Sequence, residues 1–134
     1  MSNSIHLEVL TPDKQALSLE VSSVYLQGSQ GRMGLLPGHT ALIARLDFGF
    51  LDYQGAGEEG RMLCGSGTVE VQDNKITVLV KSAEKQEDID EDRAKDALAR
   101  AKSRRDSKDK DVDMLRAEAA LYRAIERLKY IGKM

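Results

Sequence analysis

Residues 69–101 read VEVQDNKITVLVKSAEKQEDIDEDRAKDALARA, and the apolar period changes inside them. Val69 and Val71, then Ile76, Val78 and Val80, alternate with other residues as strands do, and Asp73-Asn74 between the runs reads as a hairpin turn. From Asp90 onward the spacing lengthens. Ala94, Leu98 and Ala101 share one face of a helix, Asp90 is a suitable N-cap, and Ile89 with Ala94 can staple across it. The change from sheet to helix therefore falls within Ser82–Asp88.

Upstream, the period of two continues. Ile5, Leu7 and Val9 alternate, as do Leu17, Leu19 and Val21, followed by Val24 and Leu26. Gly55-Ala56-Gly57 marks a second hairpin turn. Short strands at this spacing predict an antiparallel sandwich or barrel. Residues 31–39 stand apart. Two glycines and then Pro37-Gly38 argue against a regular strand, so a surface loop is expected there, with Leu35 and Leu36 plugging the core.

Downstream, the first helix should fade in the polar run 103–110. Asp111 is placed to cap a second helix, whose apolar face would carry Leu115, Leu121, Tyr122, Ile125 and Leu128. A short polar connection between two helices predicts an antiparallel hairpin. The expected fold class is α+β: an N-terminal antiparallel β-sandwich over residues 1–87, then a C-terminal antiparallel two-helix hairpin over 88–134.

Composition narrows the function. The 134 residues carry a net charge of −2, which gives no electrostatic reason for a nucleic-acid partner. The charge is unevenly spread. Residues 1–87 hold 7 Lys and Arg against 11 Asp and Glu, and residues 88–134 hold 13 against 11. The C-terminal part is thus locally basic and suited to anions or acidic partners. Cys64 is the single cysteine, so an internal disulfide is impossible and zinc-ligand spacing is absent. The N-terminus has no apolar signal core, and the longest apolar runs are too short to cross a bilayer. The expectation is a cytoplasmic bacterial protein without direct membrane insertion, held at any membrane by a partner.

Catalysis finds little support. Neither histidine, His6 or His39, falls in a Ser-His-Asp order, and there is no phosphate-cradling P-loop. Cys64 among Gly65, Ser66 and Gly67 reads as a small buried residue at a strand end, the rival being a nucleophile. His39 reads as a structural or interface histidine.

The arginines carry more. Arg93, Arg100 and Arg104 form one stripe of the first helix, and Arg116, Arg123 and Arg127 one stripe of the second, opposite the Leu115, Ile125 and Leu128 face. Two readings stand. The stripes are a solvated face laced with Asp96, Glu118 and Glu126, or they converge. Converging guanidiniums repel one another unless an anion sits between them, and their forks suit phosphate oxygens. The same stripe can alternatively meet an acidic protein surface.

Together these pieces resemble one family. GLLPGHTAL at 34–42 is similar to the Gly-x-Leu-Pro-Gly-His-x-x-Leu loop of the F-type ATP synthase ε subunits. ITVLV at 76–80 leading to Ala83-Glu84, and DIDEDRA at 88–94, match the same family in the same order, so the resemblance spans essentially the whole chain.

The resemblance implies a non-catalytic rotor subunit of a proton- or sodium-driven ATP synthase. Its sandwich would dock on the γ subunit and rest on the c-ring, with Arg32, Pro37, Gly38 and His39 near those contacts. Arg32 stands where the family is often acidic, so a charge-paired contact with the ring does not carry over unchanged. Ile89, Asp90, Arg93 and Ala94 match the family's ATP-binding pattern, and Glu84, Arg100, Arg123 and Arg127 occupy the accompanying places. ATP would be a regulatory ligand; the sequence is silent on Mg²⁺. The resemblance also implies a hairpin that folds down with ATP bound, or extends so that Arg116, Arg123 and Arg127 meet the α and β subunits and inhibit hydrolysis. The Arg93-Ala94 pair favours a bacterial source over a chloroplast one. The place implied is the cytoplasmic face of the bacterial plasma membrane, as a peripheral part of the complex. The alternative is a stand-alone nucleotide-sensing module with no rotor.

Overall fold

The computed structural model describes residues 3–55 and 57–134, and it divides into two compact units, Met1–Lys85 and Gln86–Met134. Ala56, in the expected Gly55–Gly57 turn, lies outside the described residues.

The first unit is a ten-stranded sheet: β1 Ile5–Leu10, β2 Gln15–Val21, β3 Ser23–Gly28, β4 Gly31–Leu35, β5 Leu42–Leu46, β6 Gly49–Gly55, β7 Glu58–Cys64, β8 Gly67–Gln72, β9 Lys75–Val80 and β10 Ala83–Glu84. The order is β10-β7-β6-β3-β5-β8-β9-β1-β2, with β4 on β3. β3 pairs β6 through Ser23–Tyr25 and β5 at Gly28, so it joins the two parts of the sheet. Inward residues from both parts then meet. Ile5, Leu7, Leu26, Leu51, Met62 and Ile76 are fully buried in one aliphatic core. Burying each such side chain contributes about 1.5–3 kcal/mol, which is how a domain without tryptophan holds together.

Two expectations need correction. The sheet is not wholly antiparallel, because β1 pairs β9 in parallel from His6–Lys75 to Leu10–Leu79. The first strand is inserted between β9 and its own hairpin partner β2. And Gly31–Leu35 is a strand, not a loop, paired with β3 along its length. Gly34 lies opposite Tyr25, whose ring occupies the space of a side chain: a Cβ on Gly34 would sit 2.8 Å from Tyr25 Cε1. Of the two expected plugs, Leu35 is buried and Leu36 is 53% exposed. Alternation along an extended strand sends neighbours to opposite faces.

The second unit opens with a 3-10 turn at Gln86–Asp88, followed by α1 Glu91–Arg105 and α2 Met114–Tyr130. Asp90 caps α1 by accepting from the Arg93 N–H at 3.1 Å. The second cap is Asp113, not Asp111; its carboxylate accepts from the Arg116 N–H at 3.2 Å. Asp111 is occupied differently. Its N–H donates to Asp109 Oδ1 at 3.0 Å, and the Asp109 N–H donates to Ser107 Oγ at 3.1 Å, so local side-chain turns hold the connection out of the helix. At the open end Lys133 Nζ lies 3.4 Å from Glu91 Oε1, and Gln86 donates to the Tyr130 carbonyl at 2.5 Å.

The helices pack on each other along small residues. Ala94 and Ala101 of α1 are buried, as are Ala117, Leu121, Ala124 and Leu128 of α2. Of the apolar face expected on α2, Leu121 and Leu128 lie in this seam and Leu115, Tyr122 and Ile125 do not. At 100° per residue, Leu115 falls roughly 160° from Ala117 and is 80% exposed; Tyr122 is 51% exposed and Ile125 half-buried.

Candidate functional site

Rotation about the helix axes decides where the arginines go. Arg93, Arg100 and Arg104 lie about 100° from the Ala94–Ala101 line, and Arg116, Arg123 and Arg127 lie about 100° from the Ala117–Ala124 line, in the same sense. In an antiparallel pair that offset puts both stripes on the same side. The second stripe therefore flanks the seam formed by Ala117 and Ala124. Arg104, Arg116 and Arg123 line one cleft of about 590 Å³, together with Asp111, Asp113 and three alanines, Ala117, Ala119 and Ala120.

The expected nucleotide residues are spread more widely. Asp90 and Arg93 stand at the start of α1, with the Asp90 carboxylate engaged by the Arg93 backbone. Ala94 is in the seam and Ile89 is half-buried. Arg93 and Arg100 are exposed on α1, Arg127 is half-buried on α2, and Arg123 lies in the cleft. Glu84 belongs to the other unit, on β10, where it is paired in register with Leu63.

The sandwich offers a second candidate surface at Leu36–His39. The His39 N–H donates to the Leu36 carbonyl at 3.1 Å, and Gly38 has φ 78°, the geometry of a type II turn with Pro37 leading. The turn is held from outside. The Gly38 N–H donates to Asn74 Oδ1 at 2.9 Å, and Asn74 Nδ2 donates to the Ser4 carbonyl at 2.8 Å. Asn74 and Asp73 have φ 58° and 52°, as a two-residue hairpin turn demands. Asn74 thus clamps the Pro37-Gly38 turn to the first strand. Its role was missed because sequence spacing shows the turn but not the tertiary contact.

Arg32 is committed within the sandwich. Its Nη2 lies 2.5 Å from Asp52 Oδ2, and its Nη1 donates to the Phe50 carbonyl at 3.0 Å. Arg61 shares the same carboxylate through Nε at 2.7 Å and lies 4.3 Å from the Phe50 ring centroid. One carboxylate between two guanidiniums leaves this patch positive.

The catalytic rivals lose ground on chemistry. Burial, and secondarily the Glu84 charge, push the Cys64 thiol up to about 12, the opposite of what a nucleophile needs. His39 Nδ1 is bound to the Thr40 carbonyl at 2.8 Å. Among the described residues no group of three or more His, Cys, Asp and Glu could hold a metal, and no helix is long and apolar enough to cross a membrane.

Comparison with known proteins agrees with this architecture. The beta-sandwich domain of the ATP synthase delta/epsilon chain matches residues 4–86, and its long alpha-helix domain matches residues 87–132. The ATP synthase epsilon chain of Nitratidesulfovibrio vulgaris (strain DP4) is 44% identical over 132 residues, covering 98% of each chain. That of Desulforapulum autotrophicum is 42% identical over 132 residues, with the same coverage. A chain from the Euglena gracilis mitochondrial ATP synthase, in an assembly of OSCP, F1 and c-ring, superposes with a TM-score of 0.80. It covers 94% of this chain and 81% of its own length at 24% identity, a likeness of fold. With both of its domains matched in sequence, the chain belongs to the ATP synthase delta/epsilon chain family.

Proposed function

We propose that this chain is the ε-type subunit of the central stalk of a bacterial ATP synthase, that it catalyses nothing itself, and that its helical hairpin regulates ATP hydrolysis. The observation that carries the regulatory part is the placing of two arginine stripes on one side of an antiparallel hairpin. Such a surface has two partners with the required negative charge. ATP is one, with Arg93, Arg100, Arg123 and Arg127 towards the phosphates. Acidic surfaces of the α and β subunits are the other, met by Arg116, Arg123 and Arg127. A ligand that binds one hairpin arrangement better than the other shifts the balance between them by that difference. Asp90, already capping α1, acts by orienting Arg93 and the first turn.

On the sandwich, the clamped Leu36–His39 turn and the arginines at Asp52 are the proposed contacts with γ and the c-ring. The proposed place is the cytoplasmic face of the bacterial plasma membrane, held there by those partners.

Titration of the full chain with ATP, followed by NMR, tests the nucleotide reading. Arg93→Ala/Arg127→Ala should weaken binding about tenfold or more. Equal binding by the wild type and the double variant would contradict it. Inhibition of hydrolysis through the basic face should weaken as salt rises, because exposed charge pairs are screened; a salt-independent effect would assign inhibition to apolar contacts instead.

A further inference from the structure

The β1–β2 hairpin brings together three side chains that lie 12 and 14 residues apart in the chain. His6 on β1 touches two residues of β2. Its Nδ1 lies 2.9 Å from Glu20 Oε1, and its Nε2 lies 3.1 Å from Ser18 Oγ. A carboxylate only accepts, so in the neutral ring Nδ1 carries the proton and donates to Glu20. Nε2 is then left as an acceptor facing the Ser18 hydroxyl. Ser4 Oγ donates to the other carboxylate oxygen, Glu20 Oε2, at 2.8 Å. Hydrogen bonds from Ser4 and His6 hold the Glu20 carboxyl below its ordinary value, so it is ionised at neutral pH and orients the ring. Hydroxyl, base and orienting carboxylate in this connection are the arrangement by which a serine is activated.

Backbone pairing adds a second feature. The His6 N–H donates to the Asn74 carbonyl at 3.3 Å, on the β9 side. Alternation then turns the Leu7 N–H and C=O towards β2, where Leu7 faces Leu19. The flanking pairs, His6 with Glu20 and Glu8 with Ser18, are the non-hydrogen-bonded kind, whose side chains approach most closely. Their β2 amides point the other way, off the sheet, because β2 is the last strand in the order. Among the described residues the Ser18 N–H has no partner. An unspent N–H on the nucleophile itself is a donor close to the oxygen that gains charge when a carbonyl is attacked. Glu8, on the same face, does not compete for the serine, since it pairs with Lys75 at 3.3 Å.

We propose that Ser18 is a reactive nucleophile that takes an acyl group from activated esters, with His6 as its base and Glu20 as the residue that positions His6. Ser18 Oγ forms a bond to the acyl carbon, the leaving oxygen departs with the bonding pair, and the hydroxyl proton passes to His6 Nε2 and on to solvent. The product is one ester per chain. Ser18 and Glu20 are exposed on a sheet edge, so the donor is selected by the quality of its leaving group and not by its shape. This is a modification site, and the chain remains a subunit that catalyses nothing.

The test is brief exposure of the full chain to p-nitrophenyl acetate at neutral pH, with the acetyl group located by peptide mass spectrometry. Ser22 is the internal comparison. It is exposed on the same sandwich, and its Oγ donates to the Gln54 carbonyl at 3.0 Å instead of to an imidazole. Ser18 should be acetylated about tenfold faster than Ser22 or more, and His6→Gln should bring it down to the Ser22 rate. Glu20→Gln should slow it by less, since the ring then loses its orientation and keeps its base. Ser18→Ala should remove the label and leave thermal unfolding unchanged, because the side chain is exposed. Should His6→Gln unfold the sandwich, the wild type and Glu20→Gln still give the answer. Acetylation of Ser18 no faster than of Ser22, or equally fast in the wild type and Glu20→Gln, would overturn the proposal and leave the trio as a polar cross-strand ladder.

Discussion

At the scale of single residues, Gly38 and Cys64 have consequences that can be measured. Gly38 sits at φ 78° with nothing within 4 Å of where a Cβ would be, so a substitution costs backbone energy and not a clash. Gly38→Ala should lose about 1–2 kcal/mol in urea denaturation, and Gly38→Asn less, since asparagine tolerates this region. Equal losses for the two would point to a hidden steric contact. Cys64 is folded as the neutral thiol, so its contribution is complete below the ordinary thiol value of 9.0 and is lost as pH rises towards about 12. The slope is at most about 1.4 kcal/mol per pH unit. Cys64→Ala should flatten the decline in stability above pH 9. The native thiol should also resist a disulfide reagent at pH 8 or so until the sandwich opens; rapid labelling would contradict the burial. Gly38 and the plain character of Cys64 could be read from sequence, because turn chemistry and small neighbours are local signals. The Asn74 clamp could not, because its partners lie 36 and 70 residues away in the chain.

At the scale of elements, local signals worked where one was present and misled where two competed. Asp90 capped the first helix as its position predicts, with a polar run before it and the helical period after it. For the second helix Asp111 was expected to cap, but the loop's own side-chain turns engage Asp109 and the Asp111 backbone, and Asp113 caps instead. Asp113→Ala should therefore cost about 1 kcal/mol, and Asp111→Ala only a few tenths. Thermal unfolding of the helical signal would show the difference, and the reverse order would contradict the assigned cap. The apolar face of α2 was legible at Leu121 and Leu128, which are buried, and was drawn too wide because large residues were weighted over small ones. Leu115 and Tyr122 looked like core, yet alanines let helices approach most closely, and the seam runs along Ala117 and Ala124. The strand at Gly31–Leu35 was hidden for a related reason: glycine is a poor strand former until a facing ring, here that of Tyr25, fills its place.

At the scale of the whole molecule, the change of period within Ser82–Asp88 was the most legible feature, since it needs only the chain's own spacing. The parallel β1–β9 pair was not legible, because alternation gives faces and not neighbours. The sandwich unit has its own aliphatic core, so a chain ending at Lys85 should fold cooperatively and remain soluble. Partners are a property of the complete assembly, and a stalk subunit must bind the rest of the stalk. The most direct test is size-exclusion chromatography of the full chain mixed with the γ subunit of the same organism. A stalk subunit should give a one-to-one complex that the chain ending at Lys85 also forms and that ATP does not dissociate. Separate elution of γ from both the full chain and the shortened one would contradict it.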